Sequence, residues 1–333
     1  MRALHPRIPS PLAFRQGRRL EAAPGRCGMA SRAGVANSLW TEIGERYDQA
    51  QGSGAASTTP TEVQRVRDGD TGVEFIVQVA ANLQHKARSS SATLSVGRPP
   101  PHNPFLPYEE ALWVRHLSPT HTLLLNKFNV VPRHVLVVTR EFAPQSGLLA
   151  EADLAATWEV LQAAPSPGAL AFFNSGPDAG ASQPHRHFQV VPLPLVPGTG
   201  PGPPMAGPVL RALGDGPGEA RPMPTLPFRS WAARLGPGTN PPALHRLYLD
   251  LLAGGGVREG TDGLTPDHNL VLTTDYLHLA VRRRERAGPV ACNALGFAGT
   301  FFVKSREALE HVRREGPMAV LAAVGVPWAD PHA

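Results

Sequence analysis

Residues 174–194 read NSGPDAGASQPHRHFQVVPLP, a turn rich in Gly and Pro that runs into a stretch with two histidines. The apolar residues after the turn predict a strand over 187–193. Successive side chains of a strand point to opposite faces, so His185, His187 and Gln189 should share one face. Two imidazoles and a carboxamide would then form one polar group beside the turn.

The turn itself has the composition of an anion site. Gly176 and Gly180 let the backbone approach a ligand closely, and the amide groups of the turn, with Ser182 and Gln183, can donate hydrogen bonds. Such a loop suits phosphate.

Three interpretations of the histidine strand follow from spacing alone. The histidines can be ordinary strand residues that satisfy neighbours or face solvent. Alternate histidines can also bind zinc or copper, but no Cys or clear Asp or Glu partner lies nearby to supply a third ligand. Finally, one neutral imidazole can attack phosphorus to form a phosphoramidate, with donors around the phosphate oxygens. Spacing leaves these three open.

The remainder of the chain predicts a mixed fold of helices and antiparallel strands. Helical spacing is found over 39–49, 151–163 and 243–253, with a closing helix that Ser305 can cap. Strand patterns are found over 73–79, 122–125, 135–138 and 170–174, as a pair within 268–286, and in the Gly-containing region 293–305.

A loose internal repeat divides the chain into two halves. The segments HTLLL…HVLVVTRE and HNLVL…LHLAVRRRE both predict strand pairs, and each precedes a segment with an Asn and spaced glycines. This indicates two loosely repeated α+β halves in one compact unit, with the histidine strand only in the first. The predicted divisions are a tail over 1–37, a first half over 38–196, a Gly/Pro-rich excursion with little regular structure over 197–242, and a second half over 243–328.

The positive charge of the chain lies in its tail. The formal net charge is +5, and residues 1–37 contain seven arginines and one acid, so the remainder is close to neutral. The charge therefore gives no reason to expect nucleic-acid binding by the body of the protein. An Arg-rich, nearly acid-free tail predicts an organellar transit peptide, a disordered extension, or a true start at Met29.

Cysteine content and hydropathy indicate the compartment. Only Cys27 and Cys292 occur, so a disulfide framework is not expected, which fits a reducing compartment. No apolar run reaches the roughly 18–20 residues that cross a bilayer. We therefore expect a cytoplasmic protein without a membrane partner, or an organellar one if residues 1–37 are a transit peptide.

Six segments, in order, resemble one known family. They are VEFIVQVAANLQHK, NPFLPYE, LLLNKFNVVPRHVLVVTREF, FFNSGPDAGASQPHRHFQVVPLP, PDHNLVLTTDYLHLAV and NALGFAGTFFVK. Together they are similar to the ATP adenylyltransferases, or diadenosine tetraphosphate (Ap4A) phosphorylases, of the histidine-triad (HIT) superfamily. The resemblance covers about 38–328 and implies an α+β fold with a HIT-like antiparallel sheet and flanking helices.

The resemblance also implies roles for the histidine strand. His187 would be the nucleophile that attacks the α-phosphorus of Ap4A, expels ATP and holds AMP until phosphate releases it as ADP. Gln189 would hydrogen-bond the bound phosphoryl group. His185 would either orient the site or make a structural hydrogen bond to the backbone.

Other matching positions imply contacts with the dinucleoside polyphosphate, ATP, ADP or phosphate. These implied substrate-binding residues are Lys86, Asn103, Pro104, Asn174, Gly180, Ala181, Ser182, Gln183, Gln189, Asn293, Ala294, Leu295, Thr300 and Lys304. Lys127 and Arg133 fit a surface position better. The covalent step needs no cofactor, although Mg²⁺ is a possible helper of the polyphosphate, and no metal-binding residues are expected in the protein.

Two other functional classes stay open at this point. A GDP-hexose phosphorylase or a hexose-1-phosphate uridylyltransferase of the same superfamily would use the same histidine chemistry, although Arg186 stands where the uridylyltransferases have Pro. A nucleotide-binding protein without catalysis is the second class, and the presence of His187 and Gln189 argues against it. Base preference, the direction of the reaction in the cell and the oligomeric state are not predicted.

Overall fold

The computed structural model describes residues 32–80 and 103–328, with side chains from Leu39 onward. The predicted tail over 1–37 therefore lies mostly outside the described residues, and Lys86 lies wholly outside them.

The described residues form seven helices, of which the first, second, fourth and sixth lie where the sequence predicts helices. They are α1 (Arg32–Ser53), α2 (Glu151–Gln162), α3 (Ala206–Leu213), α4 (Pro241–Gly254), α5 (Ala294–Phe297), α6 (Arg306–Glu315) and α7 (Pro317–Val324). Local capping explains two of the starts. Asn240 accepts a hydrogen bond from the Ala243 amide at 3.0 Å before α4, and Ser305 accepts one from the Ala308 amide at 3.1 Å before α6, as predicted.

The strands are more numerous than the sequence patterns indicated. They are β1 (Ser57–Thr58), β2 (Thr61–Arg67), β3 (Glu74–Ala80), β4 (Trp113–His116), β5 (His121–Leu125), β6 (Phe128–Asn129), β7 (Val135–Thr139), β8 (Ala169–Asn174), β9 (His187–Pro192), β10 (Arg221–Pro222), β11 (Ser230–Arg234), β12 (His268–Leu272), β13 (Tyr276–Val281), β14 (Arg286–Ala287), β15 (Val290–Ala291) and β16 (Thr300–Val303). The predicted hairpin of β5 and β7 is present, with Leu123 opposite Val137.

One large sheet joins the two halves of the chain. Nine strands run in the order β10-β11-β13-β12-β8-β9-β7-β5-β4, and each neighbouring pair is antiparallel. The junction is the pairing of β8 with β12, where Asn174 lies opposite Asn269. Strand β9 lies next to β8, so the histidine strand is in the middle of the sheet, one strand from this junction.

Both faces of the large sheet are covered by other elements. Consecutive residues of its central strands are therefore buried and mostly apolar. On one face α1, α2 and α4 pack against residues such as Val135, Phe173, Phe188 and Leu270. On the other face α3, α5, α6, α7 and a three-stranded sheet (β16-β3-β2) pack against residues such as Phe172, Val191 and Val271. The second face is the one that His187 and Gln189 share, so both residues lie on the face covered by these helices and the three-stranded sheet.

Two predictions about regular structure are wrong. Residues 197–242 contain α3 and β11, and β11 pairs with β13 inside the large sheet. The density of Gly and Pro concealed these short elements, because their stability comes from packing on the sheet and not from local propensity. Residues 293–305 are not one strand, since α5 precedes β16, and Asn293 caps that helix.

The α+β architecture with a large antiparallel sheet is confirmed. Among the helices of the described residues, none has both the length and the apolar character needed to cross a bilayer.

Candidate active site

His187 is held in one tautomer at the start of β9. Its Nδ1 lies 2.8 Å from the carbonyl oxygen of His185. A carbonyl can only accept a hydrogen bond, so Nδ1 of the neutral ring carries the proton and donates it. Nε2 therefore keeps a lone pair, and it has no hydrogen-bond partner among the described residues. This is the tautomer that a nucleophilic imidazole needs.

Gln145 fixes the backbone at the same point. Its Oε1 accepts from the His187 amide at 2.8 Å, and its Nε2 donates to the Asn174 carbonyl at 2.8 Å and the His187 carbonyl at 3.2 Å. The ladder between β8 and β9 ends at the pair Phe172 and Gln189. Gln145 thus replaces the next rung, and it anchors His187 where the two strands separate to admit the turn.

Burial keeps the two histidines of the strand neutral. Burial lowers the pKa of His187 to about 4, although the hydrogen bond to the His185 carbonyl opposes this shift and the nearby His185 ring adds to it. Burial likewise lowers the pKa of His185, against a hydrogen bond to the Thr139 carbonyl. Near neutral pH the lone pair of His187 is therefore available.

His185 makes the structural hydrogen bond that was one of its two predicted roles. Its Nε2 donates to the Thr139 carbonyl at 2.8 Å. Asn103 donates to the same carbonyl at 3.3 Å, and its Oδ1 accepts from the Phe105 amide at 2.9 Å. The Phe105 ring then lies edge-on to both histidines, with centroids 5.6 Å from His185 and 5.8 Å from His187.

The side chain of Asn103, a predicted substrate contact, is already used for structural hydrogen bonds. The side chain of Asn103 is buried and engaged with the backbone, and Pro104 is partly buried. Phe105, which sequence reasoning did not select, is the residue of this segment whose ring faces the histidines. A Phe beside a Pro gave no signal of its own.

The Gly-rich turn is largely saturated by its own hydrogen bonds. Gly180 and Ala181 donate their amides to carbonyls of the turn, each at 2.9 Å. Asp267 accepts from two further amides of the turn. Ser182 and Gln183 are exposed, and their groups have no hydrogen-bond partner among the described residues. Among the side-chain donors expected in the turn, Ser182 and Gln183 are thus available to an anion.

Residues of the second half meet the turn directly. The Oδ1 of Asn174 accepts from the Ala294 amide at 2.9 Å, and Asn293 caps the same helix by accepting from the Leu295 amide at 3.0 Å. A Cβ added to Gly180, where φ is +81°, would lie 3.2 Å from the Cβ of Asn293. The structure therefore brings together five predicted residues from two distant segments.

Arg282 and Asn269 tie these segments together, and sequence reasoning missed both. Asn269 donates to the Asn174 Oδ1 and to the Ala179 carbonyl, each at 2.9 Å. Arg282 is buried and donates to Asn269 and, at 3.1 Å, to the Cys292 carbonyl. Burial lowers the pKa of Arg282 to about 10, so the guanidinium stays charged at neutral pH. Arg282 begins the run RRRER, which has the composition of a solvated surface, so the sequence concealed its burial.

Other predicted contacts lie apart from the histidine strand. Thr300 is buried with its Oγ1 unpartnered among the described residues, and Lys304 is exposed. Neither is hydrogen-bonded to the histidine strand within those residues. Lys127 pairs with Glu109 at 2.7 Å on the surface, and Arg133 is exposed, which agrees with their surface interpretation.

The opposite face of the histidine strand carries a buried ionic cluster. Arg186 donates to the Asp153 carboxylate at 3.1 Å, and the other oxygen of Asp153 lies 2.9 Å from the Nε2 of His121. Hydrogen bonds and the Arg186 charge outweigh the effect of burial and lower the pKa of Asp153. Because Asp153 belongs to α2, the cluster attaches the start of the histidine strand to that helix.

The described residues contain no group of three or more His, Cys, Asp or Glu placed to hold a metal ion. The geometry of His187, with one nitrogen bound to a carbonyl and the other carrying a lone pair, is that of a nucleophile.

Comparison with known proteins identifies the family. The model of the Ap4A phosphorylase N-terminal domain matches residues 30–210, and that of the ATP adenylyltransferase C-terminal domain matches 224–327. The chain is 26% identical to diadenosine 5',5'''-P1,P4-tetraphosphate phosphorylase 2 of Saccharomyces cerevisiae over 84% of this chain and 92% of that protein.

Solved structures of a yeast relative share the fold. The crystal structure of yeast Ap4A phosphorylase Apa2 superposes with a TM-score of 0.71 and 25% identity, over 87% of this chain and 95% of that one. Its complex with AMP gives 0.68 and 25%, over 88% and 99%. The chain belongs to the Ap4A phosphorylase family, and its two segments match the N-terminal and C-terminal domains of that family's nucleotidyltransferases.

Proposed function

We propose that this protein is a nucleotidyltransferase that converts Ap4A and phosphate into ATP and ADP, reversibly, through an adenylyl group on His187. The observation that carries the proposal is the fixed tautomer of His187, whose Nδ1 donates to the His185 carbonyl at 2.8 Å. The comparisons support the choice of substrate, since a relative is named a diadenosine tetraphosphate phosphorylase and the structure of a yeast Ap4A phosphorylase was solved with AMP.

In the first step, the lone pair of His187 Nε2 attacks the α-phosphorus of Ap4A. A P–N bond forms while the bond from that phosphorus to the bridging oxygen breaks, and ATP leaves with the electron pair. The ring becomes positively charged, and the hydrogen bond from Nδ1 to the His185 carbonyl strengthens as that charge develops. A neutral ring is required at the start, and burial provides it.

In the second step, an oxygen of inorganic phosphate attacks the same phosphorus. The P–N bond breaks, its electron pair returns to Nε2, and ADP is released with His187 neutral again. The overall reaction consumes one phosphate and yields one ATP and one ADP.

Hydrogen-bond donors near the strand can stabilise the oxygens of the transferred phosphoryl group. The carboxamide of Gln189 lies two residues from His187 on the same face, and Ser182 and Gln183 are exposed at the end of the turn. Positioned donors of this kind favour the transition state because they need no rearrangement as charge develops. Lys86 would add a positive charge for the polyphosphate, and Mg²⁺ would enter as a counter-ion of the substrate.

The proposal is tested by incubating the protein with Ap4A and phosphate and separating the nucleotides by chromatography. We expect ATP and ADP in equal amounts. When phosphate is omitted, we expect at most one ATP per protein molecule and no ADP. Parallel reactions contain a GDP-hexose with phosphate, or a UDP-hexose with a hexose 1-phosphate. Cleavage of a sugar nucleotide with Ap4A left intact would transfer the assignment to those rivals, and binding of Ap4A without any product would indicate a non-catalytic protein.

We also propose a reducing, cytoplasmic setting. The chain has only two cysteines, so no disulfide framework is expected, and Cys292 is a buried free thiol. Fluorescent fusions of the whole chain and of a chain that begins at Met29 would test this. Organellar signal from the whole chain alone would assign residues 1–37 as a transit peptide.

A further inference from the structure

One buried histidine on the active face has no part in the chemistry described above. His134 immediately precedes β7, the neighbour of β9, and its side chain is on the same face of the sheet as His187 and Gln189. Its Nε2 is buried without a hydrogen-bond partner among the described residues. A buried N–H without a partner costs about 1–3 kcal/mol, so its retention needs an explanation.

We propose that His134 is a positioning residue that fixes the orientation of the Gln189 carboxamide, so that its Nε2 hydrogens and not its Oε1 face the phosphoryl group on His187. This inference deepens the proposed function and rests on it.

The tautomer of His134 follows from its other nitrogen. The Nδ2 of Asn126 donates to the Phe128 carbonyl at 2.9 Å, which identifies Nδ2 as the nitrogen of that amide. The same Nδ2 lies 3.1 Å from the Nδ1 of His134, so Nδ1 accepts. Burial lowers the pKa of His134 to about 3, which leaves the ring neutral. The remaining proton of the ring is therefore on Nε2, and Nε2 is a donor.

The position of the ring directs this donor toward Gln189. On one side of β9, Leu136 of β7 lies opposite Gln189, and on the other side Phe172 of β8 lies opposite it. The rings of His134 and Phe172 approach to 5.9 Å between centroids, so they meet across the strand that carries Gln189.

The Gln189 side chain also affects the pKa of His134. Burial and the nearby His187 lower the pKa of His134, and the interaction with the Gln189 side chain acts in the opposite direction. Because no group lies at full hydrogen-bonding distance from Nε2, a small movement of the carboxamide completes the contact when substrate arrives.

The orientation of the carboxamide matters because its two ends have opposite hydrogen-bonding character. Phosphoryl oxygens only accept, so an Oε1 facing them would repel, while an NH₂ facing them donates. A donor at Nε2 of His134 attracts Oε1 and leaves the NH₂ for the phosphoryl group. His134 therefore acts through Gln189 and does not touch the substrate.

The test compares two variants of His134. His134→Phe keeps the ring and removes the donor, whereas His134→Gln restores a side-chain N–H. We expect His134→Phe to lower kcat by about 10-fold or more, up to the roughly 10²–10³-fold loss of one transition-state donor, with KM for Ap4A changed less than about 3-fold. His134→Gln should recover most of kcat.

A double-mutant cycle decides whether Gln189 is the intermediary. In a Gln189→Ala background, His134→Phe should cause no further loss beyond about 2-fold, because nothing is left to orient. Independent, multiplicative losses would overturn the proposal, as would equal losses in the Phe and Gln variants.

His278→Phe is the matched control for packing. His278 lies on the same face in the same row of the sheet, three strands and about 14 Å from Gln189, and its buried Nε2 also has no partner among the described residues. Its kcat should stay within about 2-fold of the wild type, and a loss as large as that of His134→Phe would reduce His134 to a packing residue. If the wild-type protein forms no ATP from Ap4A, the proposed function itself is wrong. This result is obtained before any variant is made, so it is distinguished from failure of the His134 proposal.

Discussion

The two faces of the histidine strand use opposite electrostatic conditions. On one face, His185, His187 and Gln189 form a neutral group in which burial suppresses protonation. On the other face, Arg186 and Asp153 are charged, and each compensates the other.

The difference shows how residues 185–189 keep the proposed nucleophile on one face and the ion pair that attaches the strand to α2 on the other. A nucleophilic imidazole must keep its lone pair, so it gains from burial among neutral groups. A buried guanidinium is tolerated only beside a carboxylate, and here that carboxylate belongs to the neighbouring helix α2. Alternation along a strand lets both conditions exist within three residues.

The largest expected effect removes the reacting group of the neutral face. His187→Ala should lower kcat for Ap4A phosphorolysis by on the order of 10⁴-fold or more, because no other group can carry the adenylyl. His185→Ala should cause a smaller loss, since the carbonyl that orients His187 belongs to the backbone. Steady-state assays of both variants measure the contrast, and equal losses would remove the distinction between the two histidines.

The second prediction breaks the charged face. Asp153→Ala leaves Arg186 buried and unpaired, so the free energy of unfolding should fall by about 3–5 kcal/mol, measured by urea denaturation. The folded fraction should keep kcat close to the wild type. The control is Glu74→Ala, which removes the partner of the exposed Arg65 and should cost about 0–1 kcal/mol. A cost for Asp153→Ala no larger than that of the control would refute a structural role for the cluster.

The third prediction concerns the link between strand and turn. Gln145→Ala removes the side chain that bridges the His187 amide and the Asn174 carbonyl. A displaced nucleophile should lose about 10- to 100-fold in kcat, with a stability cost of about 1–3 kcal/mol. Gln145→Glu keeps an oxygen that accepts from the His187 amide, so its kcat should lie between those of the wild type and Gln145→Ala. Single-turnover rates would separate the chemical step from product release, and an unchanged rate in Gln145→Ala would contradict this role.

The fourth prediction perturbs the contact between the two halves. In Gly180→Ala the new Cβ would lie 2.9 Å from the Cys292 carbonyl oxygen, so the turn must move from α5 and KM for Ap4A should rise several-fold. Gly54→Ala is the control, because its φ of +76° imposes similar backbone strain in open space. Both variants should lose about 1 kcal/mol of stability or more, and only the first should change KM.

The smallest expected effect is a flat pH profile. The pKa of His187 is lowered to about 4, so its neutral form is present above that value and is lost only as the pH falls through it. The rate of adenylyl transfer to the protein, measured as ATP release without phosphate, should therefore be level from pH 8 to 6. A descending limb near pH 6.5 would mean that His187 titrates as an exposed histidine.

Stability should depend on pH more strongly than this rate. Folded pKa values of about 3 to 4 at His134, His187, His268 and His278 lie below the ordinary value. The unfolded chain then binds more protons below about pH 6.5, so stability is present above that pH and is lost as the pH falls toward 4. The slope is about 1.4 kcal/mol per pH unit for each such histidine.

The sequence predicted the elements that depend on local pattern. The hairpin of β5 and β7, helix α2 and the shared face of His187 and Gln189 follow from apolar periods of two or 3.6 residues. The strand β11 could not be predicted, since it is stabilised by pairing with β13 and its own residues, SWAAR, carry no strand period.

The same limit applies to the site. The motif pointed to His187, but Gln145, Asn269 and Arg282 make hydrogen bonds to residues distant in the chain, with His187 for the first and Ala179 for the other two. Their residue types are common in loops and on surfaces, so only the three-dimensional arrangement reveals them. Ala294 is a predicted substrate contact, but its backbone amide already donates a hydrogen bond to the Asn174 Oδ1. The motif gave no sign of this bond.

The central claim is that His187 carries the adenylyl group, and mass spectrometry of the intact protein tests it most directly. The whole chain is incubated with Ap4A without phosphate, then digested and sequenced by fragmentation. We predict one adenylyl group per chain, acid-labile, on the Nε2 of His187, which phosphate discharges as ADP. Formation of ATP and ADP without an adduct, or an adduct on another residue, would contradict the account.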